Sequence, residues 1–106
     1  MRVGFLRGIF GKSGPRVHVW VVIKGRIGAG WHDLDREVER PVGSTLGDLI
    51  AAAPGLGIPL GEALAESPHL RDTLMINGER CPVERDRGRV LGEGDEVYLL
   101  APLAGG

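Results

Sequence analysis

The feature that most constrains the fold is a run of β-branched residues near the start of the chain, at residues 17–23. Alternation predicts a strand with apolar side chains on both faces. One face carries Val17, Val19, Val21 and Ile23, and the other carries His18, Trp20 and Val22. A strand with two apolar faces needs cover on both of them, and one layer of helix can cover only one face of a sheet.

A second strand is predicted at residues 31–39, after a turn supplied by Gly25, Gly28 and Gly30. Leu34 and Val38 fall on one side of it. The other side is acidic and is expected to face water; it carries Asp33, Asp35, Glu37 and Glu39.

A helix is predicted to begin at Thr45, because Asp48 follows three residues later in the pattern of a helix cap. Pro54 and Gly55 are expected to end it. One stripe should face the sheet, formed by Leu46, Leu49, Ile50 and Ala53. A shorter second helix is predicted from Pro59, with its inward side formed by Leu60, Ala63 and Leu64.

The last third of the chain predicts a hairpin and a final strand. Residues 74–76 form a short strand, the pair Asn77 and Gly78 favours a two-residue turn, and residues 79–83 return. A further turn at residues 86–88 precedes the last strand, residues 96–101. This order predicts an α+β, β-grasp (ubiquitin-like) fold: a mixed sheet with one main helix on one face and parallel first and last strands at its centre.

Size and composition predict one domain of an ordinary soluble protein. We expect residues 1–16, which are basic and contain no acidic residue, to be an extension, and residues 17–106 to be the β-grasp domain. A net charge of −1 argues against nucleic acid as a partner, and no apolar run is long enough for a membrane helix. A single cysteine excludes an internal disulfide, which favours a cytoplasmic location.

The end of the sequence carries the strongest functional signal. After the last strand come Ala101, Pro102, Leu103, Ala104, Gly105 and Gly106. A terminal carboxylate becomes an electrophile once ATP converts it to an acyl-adenylate, and a glycine pair can enter a narrow active site. Four residue steps beyond Pro102 span about 13–14 Å, which is enough to enter a partner's pocket.

With these elements in this order, residues 17–106 resemble the ubiquitin-like sulfur carriers of the MoaD/ThiS family. The matching segments are residues 43–49 at the helix start, 76–79 at the hairpin, 94–97 at the last strand and the pair Gly105 and Gly106. The resemblance implies that Gly106 is adenylated and converted to a thiocarboxylate. It further implies that Pro102, Leu103, Ala104 and Gly105, with Leu100 and Tyr98, bind the partners.

Pro102 favours the branch that serves molybdenum cofactor synthesis as the small subunit of molybdopterin synthase. The implied partners are an activating enzyme that uses ATP, a sulfur donor and an acceptor such as the large subunit of that synthase. No cofactor is expected on the chain itself. Alternatives are carriers for thiamine, cysteine or tRNA thiolation, and a ubiquitin-like modifier joined to lysines.

Other candidate sites have simpler readings. We expect His18, His32 and His69 to be surface or packing residues rather than metal ligands, and Cys81 to be a strand residue that fills the core. An arginine cluster could meet an acidic partner or be solvated; it comprises Arg80, Arg85, Arg87 and Arg89. One sheet face is expected to remain uncovered by the helix. A partner, a second copy or the apolar residues of the extension could cover it, namely Phe5, Leu6, Ile9 and Phe10.

Overall fold

A computed structural model of the protein describes residues 14–101. Residues 1–13 and 102–106, which hold most of the predicted extension and the glycine pair, lie outside the described residues. The described chain forms β1 (Arg16–Ile27), β2 (Gly30–Pro41), α1 (Leu46–Ala52), a 3-10 segment (Ala53–Leu56), α2 (Leu60–Glu66), α3 (Leu70–Thr73), β3 (Met75–Ile76), β4 (Glu79–Arg80), α4 (Val83–Asp86) and β5 (Asp95–Leu100).

The strands form one mixed sheet in the order β2-β1-β5-β3-β4. β1 pairs antiparallel with β2 and parallel with β5, while β3 pairs antiparallel with both β5 and β4. The first and last strands are therefore adjacent, parallel and central, as the sequence predicts. The chain has the α+β, β-grasp arrangement, with helices inserted between the first hairpin and the last strand.

The core lies between the helices and one face of this sheet. The predicted inward residues of β1 are at most 9% exposed, and Leu46, Leu49 and Ala53 from the helical side are fully buried. Acidic residues of β2 face water, again as predicted. The predicted second helix is confirmed as α2, whose buried residues are Leu60, Ala63 and Leu64.

The capping signal of the main helix is confirmed in detail. Thr45 Oγ1 accepts from the Asp48 N–H at 3.1 Å, and the Asp48 carboxylate accepts from the Thr45 N–H at 3.0 Å. These bonds satisfy donors that the first helical turn leaves unpaired. α1 ends at Ala52, but the chain continues through Pro54 as a 3-10 segment before it turns at Gly57. The α-helix therefore ends before Pro54, as predicted, but the chain continues as a 3-10 helix to Leu56.

Two predictions about strand ends are wrong. β1 runs through Gly25 to Ile27, so the first turn centres on Gly28. β4 contains only Glu79 and Arg80, so Cys81 lies beyond a strand rather than in one. The Cys81 N–H donates to the Leu74 carbonyl at 2.7 Å.

Two four-residue helices, α3 and α4, were not predicted. Pro82 precedes α4 at the N-cap, where its fixed φ and missing N–H are tolerated. A helix this short has too few residues to produce a helical period in the sequence.

His18 of β1 fixes the loop that leads into β5. Its N–H donates to the Glu93 carboxylate at 2.9 Å, and its carbonyl accepts from the Gly94 N–H at 2.8 Å. The ring lies between two carboxylates, with Nδ1 3.1 Å from Glu93 and Nε2 3.4 Å from Glu39. The hydrogen bond and charge of Glu93 raise the pKa of His18, and donation from the His18 backbone and ring lowers the pKa of Glu93.

These shifts predict a pH dependence of stability. Because the pKa of His18 is higher in the folded chain than in the unfolded chain, where it is about 6.5, protonation of His18 stabilises the fold. This contribution is complete below the unfolded-state pKa and is lost as the pH rises through the folded-state pKa. Between about pH 5.5 and about pH 9, where Glu93 stays ionised, His18→Gln should remove this dependence. The free energy of unfolding in urea, measured at both pH values, gives the size of this dependence. His69→Gln, at an exposed position, should keep the wild-type profile, and an unchanged profile in His18→Gln would contradict the assignment.

Candidate functional site

The base of the C-terminal segment is fixed to the sheet at the end of β5. Beyond Leu100, the Ala101 N–H donates to the carbonyl of Lys24 at 2.9 Å, which extends the parallel pairing with β1 by one bond. Ala101 also packs against the core and is only partly exposed. The residues of the predicted tail therefore begin from a fixed point at the centre of the sheet.

Gly25 makes this fixed point possible. It has a φ of +111°, and a Cβ placed on it would lie 2.5 Å from the Ala101 carbonyl oxygen and 2.9 Å from the carbonyl carbon. Any side chain would therefore push against backbone rather than against a flexible side chain. The sequence pattern places Gly25 in a turn and does not predict this role. The structure places Gly25 inside β1, where a glycine often marks the close approach of another backbone segment.

Two predicted partner-binding residues lie within the described chain, both on β5. The Tyr98 side chain is half-buried and that of Leu100 is 43% exposed, and both point away from the helices. The remaining predicted site residues lie outside the described residues, namely Pro102, Leu103, Ala104, Gly105 and Gly106.

Tyr98 and Leu100 belong to a larger surface that we call the open face. It is the sheet face opposite the helices, and its apolar members are Trp20, Val22, Met75, Tyr98 and Leu100. The strand register sets Val22 and Met75 on either side of Tyr98, and Lys24 beside Leu100. Trp20 is 40% exposed. The uncovered face predicted from the two-faced first strand is thus present.

Acidic side chains border the open face. From β2, Asp33, Asp35 and Glu37 stand opposite Lys24, Val22 and Trp20, and from β5, Glu96 stands beside Trp20. Lys24 Nζ lies 3.0 Å from Asp33, whose hydrogen bond raises the pKa of Lys24. Within residues 14–101, no ion pair involves the other three carboxylates, which are those of Asp35, Glu37 and Glu96.

A shallow depression of about 280 Å³ marks the boundary between the apolar and acidic parts of the open face. It is lined by Trp20, Val22, Asp35, Glu96 and Tyr98. Its lining combines apolar and aromatic side chains with two carboxylates, so it suits a side chain that has an apolar stem and a positive charge.

The other candidate residues lie apart from this surface. Cys81 is 2% exposed in the core, where its sulfur accepts from Arg89 Nη1 at 3.2 Å. The predicted arginine cluster is largely paired within the chain, since Arg85 binds Asp86, Arg87 binds Glu84 and Arg89 lies 3.6 Å from Glu79. Hydrogen bonding from Arg71 is the main cause of the lowered pKa of Glu84, to which Arg87 also contributes.

The histidines do not form a group. His18 lies on the open side of β1, His32 on β2 and His69 at the start of α3. Among residues 14–101, no three His, Cys, Asp or Glu side chains are placed to hold a metal ion together.

No single helix between residues 14 and 101 is long and apolar enough to cross a membrane. Only when taken together are Leu46–Leu56 and Leu60–Glu66 long and apolar enough, and the chain bends by 108° between them.

The fold and the fixed exit of β5 define the class: a β-grasp domain whose central last strand leads toward a glycine pair in the sequence. No family model matches the chain. A protein of Archaeoglobus fulgidus described as "Uncharacterized protein" is 33% identical over 64 residues, a match that covers 60% of this chain and 68% of the archaeal one. The chain belongs to the same family as this archaeal protein, whose description assigns no activity.

The close approach of Gly25 and Ala101 predicts a specific effect of substitution. Gly25→Ala should displace Ala101 and expose its N–H to solvent exchange. Gly43→Ala is the matched control, because Gly43 has a φ of +95° and a Cβ added there would have nothing within 4 Å. Both variants should lose about 1 kcal/mol from the left-handed backbone. Amide hydrogen exchange distinguishes them: equal protection of Ala101 in both would contradict the role of Gly25.

Proposed function

We propose that this chain is a sulfur carrier of the MoaD/ThiS type that serves molybdopterin synthesis. The observation that carries the proposal is the path of β5. This strand runs at the centre of the sheet, is held at Ala101 by the Lys24 carbonyl in space that Gly25 leaves free, and is followed in sequence by Pro102 and the glycine pair. In this account the group that reacts is the carboxylate of Gly106.

The proposed chemistry takes place on that carboxylate in two steps. In the first, a carboxylate oxygen attacks the α-phosphorus of ATP bound to an activating enzyme, and pyrophosphate leaves. In the second, a donor at the oxidation level of hydrosulfide attacks the acyl carbon, a C–S bond forms, and AMP leaves with the former carboxylate oxygen. The product is a thiocarboxylate. When its sulfur passes to the acceptor on the synthase, the acyl C–S bond breaks and water supplies the oxygen that restores the Gly106 carboxylate.

The domain contributes position rather than catalytic side chains. β5 is paired on both sides, by β1 and β3, and its inward residues Val97 and Leu99 are at most 1% exposed. A base that does not move reduces the freedom that the following residues must lose when they enter an active site. Pro102 lowers that cost further by fixing one backbone dihedral.

Tyr98 and Leu100 suit the role of partner contacts in this proposal. They are the last two open-face residues of β5 before the chain leaves the sheet, and Leu100 is substantially exposed. A partner that receives the tail would therefore meet them first. The proposed partners are the activating enzyme, the sulfur donor and an acceptor such as the large subunit of molybdopterin synthase, all in the cytoplasm.

The proposal predicts that activation depends on the end of the chain and not on the stability of the domain. Deletion of Gly106, and separately Gly105→Trp, should lower ATP–pyrophosphate exchange by more than about tenfold, which is ~1.4 kcal/mol in the barrier. The assay uses an activating enzyme from the same organism. Ala65→Trp, at an exposed position on α2, is the control and should leave exchange unchanged.

Exchange that survives both tail variants would refute the proposal. Thermal unfolding of each variant should match that of the wild type, which separates a tail effect from a folding effect. Isopeptide-linked adducts on other proteins in the native cell would instead identify a ubiquitin-like modifier. Transfer of sulfur to a thiamine, cysteine or tRNA acceptor would identify a carrier for another pathway.

A further inference from the structure

We propose that residues 1–13 of this chain cover the open face of the sheet. The inferred contact is intramolecular and does not depend on the sulfur-carrier proposal. It rests on the exposure of the open face, on the charges that border it, and on the composition and length of the segment that precedes β1.

The open face is a candidate binding surface because it leaves several apolar side chains exposed or partly exposed. Trp20 and Leu100 remain 40% and 43% exposed, Tyr98 and Met75 beside them are partly exposed, and Val22 between them is 5% exposed. The helices occupy the other face, where β1 is fully buried at Val19, Val21 and Ile23. Contiguous exposed apolar surface of this kind marks a place where another segment or molecule binds.

The charges on the two sides are complementary. The open face is bordered by carboxylates without an ion pair within residues 14–101, namely Asp35, Glu37 and Glu96. The segment of residues 1–13 has no acidic residue, and it carries three basic ones, Arg2, Arg7 and Lys12. Its apolar residues alternate with these charges in sequence and are Met1, Val3, Phe5, Leu6, Ile9 and Phe10. An apolar and basic segment matches an apolar face with an acidic border.

The connection is short enough and the segment long enough for this contact. Only Gly14 and Pro15 separate the segment from the sheet, because β1 begins at Arg16. Trp20 and Lys24 lie about 13 Å and about 26 Å along the strand from Arg16, at roughly 3.3 Å per residue. Thirteen residues reach up to about 43 Å when extended, so the segment can turn back over the whole open face.

The acidic border also argues against the alternative occupant, which is a second copy of the chain packed through its own open face. A symmetric contact would bring the acidic borders of two open faces together, and like charges across an interface disfavour it. The segment reaches the face at a high effective concentration because it belongs to the same chain. Since Tyr98 and Leu100 are part of the covered surface, any partner that uses them has to displace the segment.

Photo-crosslinking in the full chain tests the proposal directly. With p-benzoylphenylalanine in place of Phe5 or Phe10, irradiation should give an adduct at monomer mass that peptide mapping assigns to Trp20, Val22, Met75, Tyr98 or Leu100. The same photoreactive residue in place of Ala51, which is exposed on α1, is the control and should give no adduct on this face. The yield of the intrachain adduct should not change on dilution.

A charge reversal tests the complementarity. Asp35→Lys combined with Glu37→Lys should abolish the adduct, whereas Glu62→Lys combined with Asp72→Lys, on exposed helical positions, should retain it. Adducts at dimer mass would overturn the proposal in favour of a second copy as the occupant. Adducts elsewhere on the chain, or none in the wild type, would also overturn it and leave the face to a different protein.

Discussion

The parallel pairing of β1 with β5 is the interaction on which the rest of the structure depends. It joins Val21 to Val97 and Ile23 to Leu99 in register, and all four side chains are at most 1% exposed. Two parallel neighbours cannot be joined by a tight turn, so the chain between them must cross over one face of the sheet. α1 and α2 lie in that crossover and bury the core. The same pairing determines where the chain leaves the domain and which sheet face stays open.

Much of this arrangement was readable from the sequence because the decisive signals are local. The alternation in β1 and β2, the Thr45 and Asp48 cap and the turn at Asn77 and Gly78 each follow from short-range chemistry. Asn77 and Gly78 both adopt positive φ, as the predicted hairpin requires. Tertiary contacts reinforce that turn, since the Asn77 side chain donates to Asp95 and accepts from the Glu96 N–H.

What the sequence did not reveal depends on contacts between distant residues. Gly25 looks like a turn residue until Ala101, far away in sequence, is seen against it. α3 and α4 are single turns that owe their form to their neighbours, with Leu70 and Val83 buried in the core. The strand expected after Arg80 stops because the chain leaves the sheet at Cys81 and Pro82. For the candidate site, the sequence predicted Tyr98 and Leu100 but not the glycine that fixes the base of the tail.

These features suit a small domain that presents its tail to other proteins, as the proposed function requires. The sheet holds the start of the tail, Gly25 permits the close packing at Ala101, and Tyr98 and Leu100 lie on the open face next to that point. In the proposed function every catalytic group belongs to the partners. The domain then determines which enzyme receives Gly106, and the covering segment proposed for residues 1–13 would regulate that choice.

The central claim is that Gly106 carries sulfur, and the most direct measurement is the intact mass of the chain after incubation with ATP, a sulfur donor and an activating enzyme from the same organism. The account predicts a mass gain equal to the replacement of one oxygen by sulfur, which fragmentation assigns to Gly106. An unchanged mass, with the same enzyme shown to be active on another carrier, would contradict it.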